Sequence, residues 1–300
     1  APEELLLGTV RGGFDEAVTF LVESMLQSPR FLYRIERQRG DGSRLPVSGY
    51  EMASRLSYTL WGAPPDRELY RAAEKGELSD RRKIVAQARR MLEDPRAVTQ
   101  SERFLADWLH LDRLASLSPS PELFPDWNPD LAADMRAETV AFFREVAWER
   151  EEPLTALFDA QVTWLTPRLA EHYGLDLPAE LVKGRAPDEL VQVDLAAKPA
   201  RGGLLTQGSV LTMGGDEASM VTRGLFVFND LLRGTVNNPP PDLDTTPVPT
   251  RPGLTHRGAA ELRISDNNCG TCHGKFEPAA FAFEKYDGLG TWRTSDEHGN

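Results

Sequence analysis

The chain has 300 residues, 40% hydrophobic and 27% charged, the balance of a globular protein long enough for one sizeable core or two. A formal net charge of -12 argues against a nucleic-acid partner, because phosphate binding needs clustered lysine and arginine. No apolar run reaches the ~18 residues of a transmembrane helix.

Helical periodicity runs through most of the chain. Phe14, Val18, Leu21, Val22 and Met25 recur at helical spacing, and after Pro29 the pattern resumes with Phe31, Leu32 and Ile35. Met52, Leu56, Leu60 and Trp61 repeat it up to Pro64-Pro65. These apolar faces read as core. Ser79 and Asp80 can cap a helix running to Glu93, with Ile84, Val85, Ala88, Met91 and Leu92 as its stripe. Beyond Pro95, Phe104, Leu105, Trp108 and Leu109 share one side of another helix.

Asn128-Pro129 supplies a cap and a first helical residue for a long helix to about Arg150. Leu131, Met135, Thr139, Phe142, Phe143 and Val146 form its buried stripe. Asp134, Glu138 and Glu145 on the same helix lack the Glu-x-x-His pairs of a di-iron bundle and read as solvent-facing. Strands are scarcely signalled. Residues 201 to 215 are rich in glycine but lack the GK[ST] of a P-loop; the glycines allow close approach to a neighbouring helix or to a flat cofactor.

The prolines from Pro239 to Pro252 exclude helix and central strand, so residues 237–253 read as a connector. It divides a helical body, residues 1–236, from a C-terminal segment, residues 254–300. That segment holds both cysteines of the chain, in Cys269-Gly-Thr-Cys272-His273. CxxCH is the attachment signature of a c-type haem, with the thiols joined to its vinyl groups and the imidazole on iron. A structural zinc site would need four ligands, and no second CxxC or HxxxH completes one. The expected cofactor is therefore one covalent haem c on Cys269 and Cys272, with His273 as proximal iron ligand.

Only 27 residues follow His273 and none is methionine. Met213, Met220 and His256 are the candidates for the opposite side of the iron, with methionine slightly preferred and His298 a further imidazole. Thioether ligation suits electron transfer at higher potential, a second imidazole lowers the potential, and an open position permits peroxide or oxygen chemistry. Phe276 and Trp292, with Phe281, Phe283 and Tyr286, can wall a haem, and Arg293 can pair with a propionate. From Glu261 to Asn300 seven acidic residues face four basic ones, which would suit a basic redox partner.

Phe31-Leu-Tyr-Arg-Ile-Glu36, Ala53-Ser-Arg-Leu-Ser-Tyr-Thr-Leu-Trp61, Asp94-Pro-Arg96, Leu169-Ala-Glu-His-Tyr-Gly174, Arg201-Gly-Gly-Leu-Leu205 and Cys272-His-Gly-Lys-Phe-Glu-Pro-Ala-Ala-Phe-Ala-Phe-Glu284, with Asp287 and Gly290, carry a resemblance. Along nearly its whole length the chain resembles the planctomycete-type secreted cytochromes, whose constituent domains are of unknown function. The resemblance implies export and a covalent haem but no substrate. This chain departs from it after CxxCH, where the family commonly reads "dP.G" and the present residues are Glu277-Pro278-Ala-Ala.

The expectation is a mainly α protein, a multi-helix body with a C-terminal haem c-binding segment, periplasmic or secreted. Ala1-Pro-Glu-Glu lacks the features of a signal peptide, so residue 1 reads as a processed start. Electron transfer to a redox partner protein is the first functional expectation. A haem oxidoreductase with an open distal site, acting on a small-molecule substrate, is the second. A non-haem structural or binding protein with a CxxC disulfide is the third.

Overall fold

The computed structural model describes residues 13–36, 46–198, 200–239, 245–246 and 250–300. The architecture is mainly α, and the chain divides into two compact units, Ala1–Gln100 and Ser101–Asn300. Among the described residues no helix is long and apolar enough to cross a membrane.

The first unit contains α1 (Gly13–Leu26), α2 (Pro29–Leu32), α3 (Gly49–Trp61), α4 (Arg67–Glu74) and α5 (Arg81–Leu92), and α6 (Pro95–Trp108) runs across the division. Ser48 opens α3 through a capping box: its hydroxyl accepts from the Glu51 amide while Glu51 accepts from the Ser48 amide. Asp66 caps α4 at the Leu69 amide and also receives Arg90 of α5 at 2.8 Å. The Trp61 indole donates to the Met91 carbonyl, and Arg96 stacks over its ring at 3.6 Å.

Periodicity located these helices better than it located their buried faces. Phe14, Val18, Leu21, Val22 and Met25 of α1 are exposed, as are Phe31, Leu32 and Ile35, and none of them joins a core. In α3 the buried residues are Ala53, Ser57 and Trp61, with Met52, Leu56 and Leu60 half-buried; in α5 only Met91 is buried. In α3 two of the three buried positions are small residues, Ala53 and Ser57, beside the large Trp61.

The second unit is built around α7 (Pro129–Arg144). Asn128 Oδ1 accepts from the Leu131 amide at 2.9 Å, as the Asn-Pro pair predicts, and a π-helical turn carries the helix on to Glu149. Leu131, Met135, Phe142, Phe143 and Val146 are buried in two apolar clusters. Two short strands that the sequence scarcely signals, β1 (Val162–Leu165) and β2 (Val191–Asp194), pair antiparallel with Val162 opposite Asp194. Then come α8 (Pro167–His172), α9 (Ala179–Val182), α10 (Gly208–Leu211) and α11 (Met220–Leu225), the last extended by a π-helical turn to Leu231.

The glycine-rich stretch meets the protein itself. Gly203 takes φ +66, and any Cβ there would run into the Phe158 carbonyl. Of the proline-rich connector, residues 240–244 and 247–249 lie outside the described residues; residues 233–239 are neither helix nor strand. The C-terminal segment belongs to the second unit. It holds α12 (His256–Ser265) and α13 (Gly270–Ala280), both packed on α11. Gly224 allows that approach, since a Cβ on it would stand 2.6 Å from the Phe276 carbonyl oxygen.

Candidate functional site

The loop before α13 fixes the CxxCH sequence. Asp266 Oδ1 accepts from the amides of Asn268 and Cys269, at 2.8 and 2.9 Å, and the Asp266 carbonyl accepts from Gly270. Those backbone bonds hold the Asp266 carboxyl below the usual carboxylate range. Cys269 is the first flanking residue of the helix, and Cys272 and His273 follow within its first turn. Residues three and four apart share a helix face, so the two thiols and the imidazole are presented together. Neither cysteine is in a disulfide, and both are half-buried.

The His273 ring is already oriented. Its Nδ1 lies 2.6 Å from Oε1 of Glu277, one turn along α13. With a carboxylate as acceptor there, Nδ1 would carry the hydrogen and Nε2 the lone pair. Glu277 is fully buried and is gripped by Arg263 of α12, Nε to Oε1 at 2.8 Å and Nη2 to Oε2 at 3.2 Å. The Phe276 ring stands 5.2 Å from the imidazole. Two thiols on one face beside an imidazole could hold a haem c, and metal-ligating histidines usually have the other nitrogen held in this way.

The remaining expected residues separate into groups. Met220, His256 and Arg293 line a single cavity of about 630 Å³, together with Arg263, Asp216 and Glu297. His256 is the first residue of α12 rather than a free loop histidine, and its Nε2 lies 2.9 Å from Glu297 Oε1. Arg293, expected to face a propionate, gives its Nη1 to Glu297 Oε2 at 2.8 Å. Burial works against the Glu297 charge, yet its backbone, His256 and Arg293 hold its carboxyl below the usual range. Met220 is buried among Leu211, Ala260, Ala280, Phe283 and Tyr286.

Met213 does not line that cavity; its sulfur accepts from Arg113 Nε at 3.3 Å. His298 bonds the Thr250 hydroxyl. Trp292 is 39% exposed and lies edge-on to Tyr286 at 5.1 Å.

Three contributors escape a residue-by-residue reading: Glu277, Arg263 and Arg223. The first two had a signal, an acid four residues after a histidine on a helix and a basic residue near the end of the preceding one. Arg223 of α11 had none. It donates to the carbonyls of Leu211, Phe283 and Tyr286, pinning the turn after α13, and burial pushes its guanidinium down to about 10.

A second polar cluster corrects the expectation for α7. Asp134 and Glu138 are buried, not solvent-facing. Asp134 takes the Thr166 hydroxyl at 2.8 Å and Arg168 Nε at 2.7 Å. Glu138 takes the hydroxyls of Thr163 and Tyr173, each at 2.6 Å, while Tyr173 accepts from the Gly208 amide. Burial pushes the Glu138 carboxyl up to about 7, against the two hydroxyl donors and Arg201. Arg201 stacks on the Tyr173 ring at 3.6 Å and donates to the carbonyls of Thr206 and Gly290. The cluster ties α7, β1, α8 and the glycine-rich stretch together.

Comparison with known families matches residues 47–175 to PSD4, a protein of unknown function (DUF1592), and residues 201–296 to PSCyt3, a protein of unknown function (DUF1588). The second match contains all of the CxxCH segment. No curated protein and no solved structure matches the chain. The two matched regions lie in tandem along the chain, and each is similar to a domain of unknown function.

Proposed function

We propose that the chain is an extracytoplasmic monohaem c-type cytochrome acting in electron transfer, with haem c joined to Cys269 and Cys272 and His273 as the proximal iron ligand. The observation that carries this reading is the His273–Glu277 hydrogen bond on the helix that presents both cysteines, neither of them in a disulfide. When bound, the haem supplies a one-electron couple. The chain's own residues do the rest: Asp266 fixes the attachment turn, Glu277 holds the hydrogen on Nδ1, and Arg223 keeps the following turn in place.

A second reading, a haem oxidoreductase with an open distal position, is favoured by a specific observation. The expected distal donors are engaged within the protein: Met213 with Arg113, His256 with Glu297, and Met220 in an apolar cluster. The two readings separate in the optical spectrum of protein matured in an exporting host, recorded with and without carbon monoxide. A low-spin spectrum that carbon monoxide leaves alone supports electron transfer; a high-spin spectrum that shifts supports the oxidoreductase.

A further inference from the structure

We propose that Glu277, steadied by Arg263, is a positioning residue that makes His273 an unusually basic ligand and so holds the site at low reduction potential; this rests on the haem reading above. Three features of the structure carry it. The Nδ1–Oε1 distance of 2.6 Å puts the ring nitrogen in direct hydrogen-bond contact with a carboxyl oxygen, and hydrogen bonds to an ionised acceptor are the stronger class. Glu277 is fully buried, so water does not compete for the carboxylate, and a hydrogen bond in that setting is stronger than the same bond at the surface. Arg263 grips the carboxylate by two nitrogens from a second helix, which fixes the direction of the acceptor.

Pulling the Nδ1 hydrogen toward a carboxylate increases electron density at Nε2, and a more electron-rich ligand stabilises the oxidised metal. Outer partners of this kind are one of the protein's means of setting a haem potential, beside ligand identity and burial. Arg263 also lines the 630 Å³ cavity. One guanidinium therefore joins the surroundings of that cavity to the electronics of His273.

The test uses matured protein whose mass shows one haem. Replacing Glu277→Gln keeps the shape and an accepting oxygen but removes the charge. The expected result is a shift of at least tenfold in the reduced-to-oxidised ratio at fixed potential, toward the reduced form, or about 59 mV for one electron. An unchanged midpoint potential overturns the proposal. Should the variant not mature, the wild-type protein decides: in its diamagnetic ferrous form, low-spin by itself or, where the iron is open, with carbon monoxide bound, the Nδ1 proton of His273 is expected far downfield and slow to exchange. A fast-exchanging proton at an ordinary shift overturns the proposal equally. Wild-type protein lacking haem would instead overturn the reading on which it rests.

Discussion

Two buried glutamates in the second unit are accommodated in opposite ways. Glu277 lies between a guanidinium fork and an imidazole, whereas Glu138 has only hydroxyls in direct contact and Arg201 at a distance. The difference shows what each cluster does. Charged partners aim Glu277 at a single ring nitrogen, and neutral partners make Glu138 a joint between α7, β1 and α8. The first cluster, and not the second, includes a residue of the CxxCH segment.

Removing one partner from each cluster sharpens the contrast. Arg263→Ala leaves Glu277 buried without its fork and is expected to destabilise the second unit by about 3–5 kcal/mol, measured by denaturant unfolding. Glu138 is expected to act through pH. Its carboxyl is raised from 4.5 to about 7 in the fold, so its contribution to stability is fully present below about pH 4.5 and is lost as pH rises through about 7. The change amounts to on the order of 3 kcal/mol. Glu138→Gln should flatten the profile between pH 5 and 8, and an equally steep profile in the variant would assign the dependence to another group.

Tyr173→Phe removes a donor to Glu138 and the acceptor of the Gly208 amide, and about 2 kcal/mol of lost stability is expected. It should leave the haem spectrum unchanged, because the hydroxyl's partners belong to the structural cluster. The smallest effect, about 1 kcal/mol, is expected for Asn128→Ala, which uncaps the helix that delivers Glu138. Thermal unfolding resolves a change of that size.

Much of this was present in the sequence, unevenly. The Asn128 cap and the CxxCH spacing are local chemistry, and local chemistry reads directly from residues. The burial of Glu138 was also written there: Leu131, Met135, Glu138 and Phe142 are four, three and four residues apart, so the carboxylate lies on the apolar stripe. Acidic residues are usually exposed, and that expectation outweighed the spacing. The exposed apolar side of α1 shows the converse, since periodicity gives a helix its sides but does not say what covers them. Arg223 was illegible because its carbonyl partners lie 12 to 64 residues away and backbone acceptors carry no residue signature.

The central claim is the covalent haem, and intact mass with a haemochrome spectrum tests it most directly. The protein is matured in an exporting host and compared with the Cys269→Ala, Cys272→Ala double variant. The account predicts the mass increment of one haem in the wild type and none in the variant. Wild-type protein that matures and folds without the increment would contradict it.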